Sequence, residues 1–288
     1  MQTTQTMQKT RTWFITGAGR GLGADIAQAA LQAGDRVVAA GRDKAAVSDR
    51  LGADSAQLLS VALDVNNEAQ AQAAVDAAVT RFGTIDVLVN NAGYGQLGLF
   101  EENTAQDVQA QFGTNLFGVF SVTRVVLPVM RKARSGHVFN ISSLAGMRGA
   151  AFGSIYCASK FALEGFSESL AQELEPFGIR VTIVEPGPFR TDFLAPASIR
   201  FGAKGIADYD ARRPALRASF EQRDGRQPGD PVKLAEALVR LSREAEPPLR
   251  FVGGSIAFDS IGVKLVEMQA ELQRWKALSV GTDGEYIV

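Results

Sequence analysis

The stretch "TWFITGAGRGLGADIAQAALQAG", residues 12–34, decides the fold. It begins with a short apolar run, continues into the glycine-rich turn "TGAGRGLG" and ends in an alanine-rich helical pattern. Glycines let the backbone turn tightly and approach a pyrophosphate closely. The N-terminus of the helix that follows offers unpaired N–H groups and the positive end of its dipole. A glycine-rich turn between the first strand and the first helix therefore predicts a dinucleotide-binding sheet.

Strand-like and helix-like segments alternate from residue 11 to about residue 256. The strand-like segments, such as "RVVAAG", "IDVLVN" and "IRVTIVEPG", are nearly continuous apolar runs, which is typical of a parallel sheet covered on both faces. Right-handed crossovers wind such a sheet outward in two directions. We therefore predict an α/β fold: a single Rossmann-type, doubly wound parallel sheet of about seven strands, with helices on both faces.

The chain divides into three segments. Residues 1–10 are polar and predict a flexible N-terminal tail, and residues 11–256 predict a dinucleotide-binding and catalytic domain. Within that domain, residues 187–230 break the alternation after the carboxyl end of a strand, where ligands bind in such sheets, and we expect them to form a substrate lid. Residues 257–288 predict a helical extension packed on the same domain, with its helix over about 262–277.

Composition argues against several classes of protein. An apolar content of 46% and a charged content of 21% are typical of a soluble globular protein, and a net charge of −1 leaves no basic surplus for nucleic acid. The single cysteine, Cys157, and the single histidine, His137, cannot build an internal disulfide or the usual zinc site, so we expect no metal. Without a run of ~18 apolar residues or a secretory leader, we expect no membrane span and a cytoplasmic location.

The end of the second predicted strand bears on the choice of nucleotide. In NAD-binding sheets an acidic residue at this place binds the ribose hydroxyls. Here "RVVAAGRD" places Gly41 at the strand end, with Arg42 directly after it. A guanidinium binds a 2′-phosphate with two hydrogen bonds, and Arg20 in the glycine-rich turn is placed to assist. Asp43 is interpreted as the N-cap of the next helix. The pattern favours NADP(H) over NAD(H).

A second stretch, "SIYCASKFAL" from Ser154, places Tyr156 four residues before Lys160. This spacing puts both side chains on one face of a helix. Polar pairs at this spacing are common on helix surfaces, so the pair alone does not indicate catalysis. The other motifs of the chain are needed to decide whether the pair is catalytic.

Those motifs carry a family resemblance over residues 11–256. The chain resembles the short-chain dehydrogenase/reductase family, with Ser143 selected over Ser142 because it lies thirteen residues before Tyr156. The family's motifs occur in order as Thr16, Gly17, Gly21 and Gly23; Asn90, Asn91, Ala92 and Gly93; Asn115 in "TNLFG"; Ser143 in "NISS"; Tyr156 and Lys160; and Pro186 and Gly187 in "EPG".

The resemblance implies a catalytic set of Asn115, Ser143, Tyr156 and Lys160. Tyr156 would donate a proton to a carbonyl oxygen while the nicotinamide delivers hydride to its carbon, and Ser143 would hold that oxygen in line. Lys160 would bind the nicotinamide ribose and bias Tyr156, and Asn115 would support a water that connects Lys160 to solvent. Lowering the pKa of a tyrosine by ~3 units needs about 4 kcal/mol, which the ammonium and the oxidised nicotinamide would supply.

The resemblance also implies a cofactor-binding set. Arg42 would read the 2′-phosphate, Asp64 and Val65 would flank the adenine, and Thr191 would lie on the nicotinamide side. Tyr156 and Lys160 belong to this set as well as to the catalytic one. The other members are Gly17, Gly19, Arg20, Gly21, Leu22, Asn91, Ala92, Gly93, Pro186 and Gly187.

The chain departs from the family's commonest pattern at its C-terminal end, where it continues for about thirty residues beyond the last predicted strand. Many members build a tetramer with the surroundings of that strand, so the extension puts the usual tetramer in doubt. The added helix covers the chain's own surface, covers the substrate pocket or forms a different dimer. We expect a homo-oligomer, either a dimer or a tetramer.

We therefore expect an NADP(H)-dependent oxidoreductase of the carbonyl reductase or alcohol dehydrogenase type, which reduces a ketone or aldehyde reversibly. The candidate pocket residues are apolar and predict a hydrophobic small-molecule substrate. Three alternatives stay open: an NADP(H)-binding regulator that responds to redox state without turnover, an NAD(H)-preferring alcohol or steroid dehydrogenase, and an epimerase or dehydratase. The pocket candidates are Leu144, Phe152, Phe189, Phe193 and Leu194.

Overall fold

A seven-stranded parallel sheet forms the centre of the computed structural model, which describes residues 10–195 and 198–284. The predicted tail lies outside the described residues except for Thr10. In the described part of the chain the strands are β1 Thr12–Thr16, β2 Arg36–Gly41, β3 Leu58–Ala62, β4 Val87–Asn90, β5 Gly95–Leu97, β6 Gly136–Ile141, β7 Ile179–Pro186, β8 Ile199–Phe201 and β9 Arg250–Gly253. The helices are α1 Gly21–Gln32, α2 Lys44–Leu51, α3 Glu68–Phe82, α4 Ala105–Phe112, α5 Gly118–Ala133, α6 Ser154–Leu174, α7 Arg213–Glu221, α8 Pro231–Leu241 and α9 Ser255–Val280.

The strand order confirms the predicted fold class. The strands lie in the order β3-β2-β1-β4-β6-β7-β9, and every neighbouring pair is parallel. The chain winds outward from β1 in one direction through β2 and β3, and in the other direction through β4, β6, β7 and β9. The carboxyl ends of β1 and β4 therefore flank a topological switch point, which is the place where open α/β sheets bind their ligands.

Both faces of the sheet are buried, as the continuous apolar strands predicted. Successive residues of a strand point to opposite faces. Phe14 packs with residues of α3, α5 and α6, whereas Trp13 and Ile15 pack with residues of α1 and α8. All three side chains are fully buried. The sheet is thus a rigid platform between two helical layers, and its carboxyl-end edge stays available for a site.

A single helix was expected over about 105–132, but the structure divides it. A π-helical turn, Gly113–Phe117, joins α4 to α5 and carries Asn115. Such turns occur frequently at functional sites. The run Ala105–Ala133 is long and apolar enough to cross a membrane by length and composition. Its residues Val122, Val126 and Met130 are fully buried in the core, which accounts for the apolar composition.

The described residues of the segment 187–230 pack on the domain through a small apolar cluster. Within it, β8 pairs in parallel with β5 to form a two-stranded sheet, and α7 follows. Buried Leu97, Phe152 and Ile199 pack there with Leu216 and Phe220 of α7. The segment therefore forms a roof beside the carboxyl ends of the strands.

The C-terminal helix differs from its prediction in two ways. It begins at Ser255 rather than near residue 262, and it ends at Val280. Ala257 and Ile261 are buried, but every described residue from Leu265 onward is exposed. The packing on the domain that was expected for the whole extension is therefore limited to its first turns, because the helix is longer than the surface it lies on.

Candidate active site

A large cavity opens at the carboxyl ends of β1, β4, β6 and β7. Its volume is about 1390 Å³, whereas pockets for small ligands usually measure roughly 300–1,000 Å³. Every residue predicted for catalysis or cofactor binding lines this cavity. The fold thus brings together in one place motifs that are up to 174 positions apart in sequence, from Gly17 to Thr191.

The glycine-rich turn has the shape of an anion cradle. Gly17 and Gly21 have positive φ angles of 68° and 52°, which residues with a Cβ rarely adopt. A Cβ on Gly23 would lie 2.4 Å from the Asn91 amide nitrogen and from the Gly17 carbonyl oxygen. The first turn of α1 contains no acidic residue and has no side-chain cap. These features fit the pyrophosphate of a dinucleotide.

A hydrogen-bond clamp holds that turn against the end of β4. Asn91 Nδ2 donates to the carbonyl oxygen of Thr16 at 2.9 Å, and the backbone N–H groups of Asn91 and Ala92 donate to Thr16 Oγ1 at 3.0 and 3.1 Å. Two motifs that are 75 residues apart in sequence therefore form one rigid unit. In this unit Asn91 has a structural role in addition to the predicted contact with the cofactor.

The end of β2 has no room for the acidic residue of NAD-binding sheets. A Cβ on Gly41 would lie 2.8 Å from Val47 Cγ2 of α2. Arg42 is exposed at the rim of the cavity, and Arg20 lines the same end. The Asp43 carboxylate accepts a hydrogen bond from the Ala45 N–H at 2.9 Å and caps α2, as its position in the sequence predicted.

Tyr156 and Lys160 lie together at the floor of the cavity. Lys160 Nζ is 5.9 Å from the centre of the Tyr156 ring and donates a hydrogen bond to the Ile141 carbonyl oxygen at 2.7 Å. Ser143, at the end of β6, hydrogen-bonds to Tyr156 and accepts a bond from the Ala145 N–H at 3.1 Å. The floor therefore places two hydroxyl groups and one ammonium within a few ångströms.

Burial dominates the pKa values at the floor. It raises the pKa of Tyr156 to about 12, and the hydrogen bond from Ser143 opposes this only in part. Burial also lowers the pKa of Lys160 to about 8, although the negative charge of Glu164 opposes that shift. The protein's own groups thus keep the Tyr156 hydroxyl protonated at neutral pH, and the lowering expected from Lys160 together with an oxidised nicotinamide stays a prediction.

Asn115 lies in the π-helical turn and is buried. Its Nδ2 donates to the Tyr94 carbonyl oxygen at 3.0 Å, and its Oδ1 accepts from the Tyr94 N–H at 3.1 Å. Both ends of the amide therefore hold the backbone that follows β4. The water link between Asn115 and Lys160 stays a prediction.

A buried ionic cluster behind Ser143 was missed by sequence reasoning. Ser142 Oγ donates to the Glu164 carboxylate, and the Arg250 guanidinium binds Glu164, Glu168 and, at 2.6 Å, Glu185. One guanidinium from β9 thereby ties the end of β6 to α6 and to the end of β7. Glu164 lies four residues after Lys160, a spacing that could have revealed it, but nothing in the sequence points to Arg250.

The substrate end of the cavity combines apolar side chains with polar ones, among them Arg200 and Arg223 of the roof segment. Phe193 lies 5.6 Å from Tyr156 between ring centres, and Leu144, Phe189 and Leu194 also line the wall. Phe152 does not line it, because its side chain is buried in the roof cluster.

Sequence reasoning also missed one polar residue of this wall. Gln227 lines the cavity, is only 3% exposed, and neither of its amide atoms has a hydrogen-bond partner in the part of the chain that the structure describes. Buried amides of this kind are costly unless a ligand or water pairs with them.

Comparison with known proteins decides the family. The profile described as short chain dehydrogenase matches residues 11–199. The chain belongs to the short-chain dehydrogenase family. It is 38% identical over 239 residues to a 3-ketodihydrosphingosine reductase of Bacteroides thetaiotaomicron, which covers 82% of this chain and 85% of that protein. A short-chain dehydrogenase from Streptomyces avermitilis superposes with a TM-score of 0.87 at 39% identity, over 96% of this chain and 100% of the other.

The members of this family that resemble the chain are oxidoreductases, and the chain is an enzyme of this type. A family member from Burkholderia phymatum, solved in complex with NAD, has a TM-score of 0.80 and 27% identity over 91% of this chain and 95% of its own. Together with the anion cradle at the glycine-rich turn, this similarity supports a nicotinamide dinucleotide as the cofactor class.

Proposed function

We propose that this short-chain dehydrogenase is an NADPH-dependent reductase of ketones or aldehydes, and that the reaction is reversible. The observation that carries the proposal is the placement of Tyr156. Its hydroxyl lies at the cavity floor in a hydrogen bond with Ser143, and Lys160 Nζ is 5.9 Å from its ring centre. A protonated hydroxyl held beside a second hydroxyl and an ammonium is suited to donate the proton that carbonyl reduction requires.

The residues of the floor divide the chemistry among them. A nicotinamide bound in this cavity would supply a hydride to the carbonyl carbon. Tyr156 donates its proton to the carbonyl oxygen, and Ser143 binds the same oxygen and keeps it in line with the donor. The phenolate that remains on Tyr156 is stabilised by the ammonium of Lys160, whose Nζ is 5.9 Å from the ring centre. Lys160 itself is held in place by its bond to Ile141.

The preference for NADPH rests on the end of β2. Position 41 is a glycine, and a side chain there would require Val47 to shift, so this position places no negative charge against a 2′-phosphate. Arg42 and Arg20 line this end of the cavity, and a guanidinium binds phosphate with two hydrogen bonds. The Burkholderia phymatum family member was solved in complex with NAD, so the fold alone does not select NADPH and the rim residues have to make the choice.

For the substrate we propose a hydrophobic ketone or aldehyde with a second polar group. The apolar wall around Phe193 favours a hydrophobic body, and the unpartnered amide of Gln227 offers one donor and one acceptor to that second group. The Bacteroides relative is named as the reductase of a ketone, 3-ketodihydrosphingosine, which agrees with this class.

The experiment that tests the proposal measures oxidation of NADPH, and separately of NADH, at 340 nm against a panel of hydrophobic ketones and aldehydes. Half of the panel should carry a hydroxyl or amide near the carbonyl group. Turnover with NADPH well above NADH supports both parts of the proposal. Turnover that favours NADH removes the role of Arg42 and leaves the role of Tyr156. Tight NADPH binding without turnover on any substrate would favour a redox-responsive regulator.

A further inference from the structure

The helix α9 extends beyond the domain that carries it. It has 26 residues and is therefore about 39 Å long at 1.5 Å per residue. Ala257 and Ile261 are buried against the domain, near the last strand and the turn after Ser143. From Leu265 to Val280 every residue is exposed. About four turns of helix thus project with exposed side chains, although Glu267 is tied to the domain by an ion pair with Arg148 at 3.4 Å.

The exposed part of α9 carries apolar residues at regular intervals. Leu265, Met268, Leu272 and Trp275 are 50–66% exposed. Together with the exposed Phe258 and with Ile261, which lies against the domain, they follow one another at alternating intervals of three and four residues. The exposed Val263, Val266 and Leu278 lie off this row. This is the spacing of the contact row, positions a and d, of a helix that pairs with another helix. A helix that displays such a row to water is poorly solvated and gains stability from a partner.

We propose that α9 pairs with α9 of a second copy of this chain, antiparallel and about a two-fold axis. In this arrangement Leu265 lies opposite Met268 of the partner subunit, and Phe258 lies opposite Trp275 of the partner subunit. Each contact occurs twice because a two-fold interface pairs the same patch with itself. The partner helix occupies the side of α9 on which Phe258, 69% exposed, is uncovered.

Charge complementarity fixes the register. With Leu265 opposite Met268 of the partner subunit, Lys264 lies beside Glu271 of the partner subunit at the edge of the contact row, and symmetry gives two such ion pairs. A shift of the two helices by one heptad places Glu271 beside its own copy, and like charges repel there. The sequence of α9 therefore matches one antiparallel register better than its neighbour.

The position of the domain argues against the parallel alternative. The first turns of α9, through Ile261, already lie on the chain's own domain. A parallel pair would bring two domains to the same end of the helices, where both would need the same space. An antiparallel pair separates the domains to opposite ends. The parallel pair has a different ionic signature, since it sets Glu271 beside Lys276 of the partner subunit.

The first test is the mass of the full-length protein in solution, measured by light scattering over a range of concentrations. We expect Leu272→Lys to halve the mass of the wild-type particle and to weaken the association about 100-fold or more, with the thermal melting curve and the NADPH affinity unchanged. Leu272 is exposed in a single copy, so the substitution removes no contact within the chain. A wild-type monomer, or a Leu272→Lys particle of unchanged mass, would overturn the proposal.

The second test is a charge exchange across the pair. Lys264→Glu and Glu271→Lys should each weaken the association about tenfold, because each change produces two like-charge contacts. The double variant should restore the wild-type association constant. Lys276→Glu changes the charge by the same amount on the other edge of the row and should have little effect. Loss of association in Lys276→Glu, or no restoration in the double variant, would overturn the antiparallel register.

Cysteine cross-linking checks the register directly. Leu265→Cys and Met268→Cys should each cross-link poorly alone and efficiently when the two variants are mixed, since these positions face each other only across the antiparallel pair. The native Cys157 is buried and does not interfere. Cross-linking of each variant with itself would show a parallel pair. A monomer that sediments with anionic phospholipid vesicles would assign the exposed row to a membrane surface and overturn the proposal.

Discussion

The floor and the roof of the cavity are built in opposite ways. The floor consists of strand ends and α6, and its polar groups are almost all paired with one another, as in the Thr16–Asn91 clamp and the Arg250 cluster. The roof, residues 187–230, is held by a small apolar cluster and leaves the amide of Gln227 without a partner. The floor is held by hydrogen bonds within the protein, although Asn90 Oδ1 and Glu185 Oε2 have no partner among the described residues. In the roof both amide atoms of Gln227 lack a partner. We propose that the floor determines the reaction type and the roof the choice of substrate, and this division can be tested.

The largest expected effect is at the floor. Tyr156→Phe removes the proton donor and leaves the ring in place, so kcat should fall by about 10³-fold for every substrate, since general acid catalysis contributes 10²–10⁴. Binding of NADPH, followed by its fluorescence, should stay near the wild-type value. Tyr209→Phe, in the roof segment, is the matched control and should leave kcat unchanged. Normal turnover in Tyr156→Phe would mean that the floor does not supply the proton.

The next effect is at the nucleotide rim of the floor. Arg42→Ala should raise the KM for NADPH about 10- to 100-fold and leave the KM for NADH nearly unchanged, because only NADPH carries the 2′-phosphate that a guanidinium binds. Initial rates with each nucleotide at saturating substrate measure this. Arg36→Ala, at the start of β2 and outside the cavity lining, serves as the control. Equal changes with both nucleotides would show that Arg42 does not read the phosphate.

A smaller and more selective effect is expected in the roof. Gln227→Leu keeps the size of the side chain but removes its donor and acceptor, so kcat/KM should fall about tenfold for substrates with a second polar group. Ketones without that group should be turned over as well as before, or better. A uniform loss over all substrates would place Gln227 in the structural framework, and the distinction between roof and floor would fail at this residue.

The smallest effect is a shift in a pH profile. The negative charge of Glu164 raises the pKa of Lys160, which burial lowers to about 8. Glu164→Gln should therefore lower that pKa further and move the alkaline limb of the kcat profile toward neutral pH. Glu168→Gln also alters the Arg250 cluster but is not among the groups that act on Lys160, so its profile should match the wild type. A limb that moves to higher pH, or moves equally in both variants, would contradict this electrostatic role.

The sequence alone was sufficient for the elements that depend on local pattern. The continuous apolar strands fixed the fold class, and the strand-turn-helix context of "TGAGRGLG" located the cradle. Asp43 could be recognised as a cap because capping involves residues two apart in sequence. Ser143 follows the end of one strand, and Tyr156 and Lys160 share one face of the next helix, so the sequence was enough to group the three residues. Their catalytic role remains a prediction.

Other features depend on contacts between residues far apart in the chain. The tight contact that a side chain at position 41 would make is with Val47 of α2. The pKa of Tyr156 depends on its burial, which residues from several elements produce together. Burial raises the pKa of Tyr156, and the lowering expected from Lys160 together with an oxidised nicotinamide stays a prediction. Arg250 reaches Glu164 over 86 residues of sequence, and the unpartnered amide of Gln227 has no local signal.

The amino-acid sequence by itself determined the parallel α/β sheet, the glycine-rich cradle and the placement of Tyr156 and Lys160 in one site. Each of these features depends on the spacing of residues that are close together in the sequence. Only the tertiary structure decided how protonated that site is, what closes its substrate end and which part of α9 is left exposed. The protonation of the site depends on desolvation, and the other two features depend on which surfaces of the folded chain pack against each other. Both are properties of the packed chain, since they arise from residues that folding brings together.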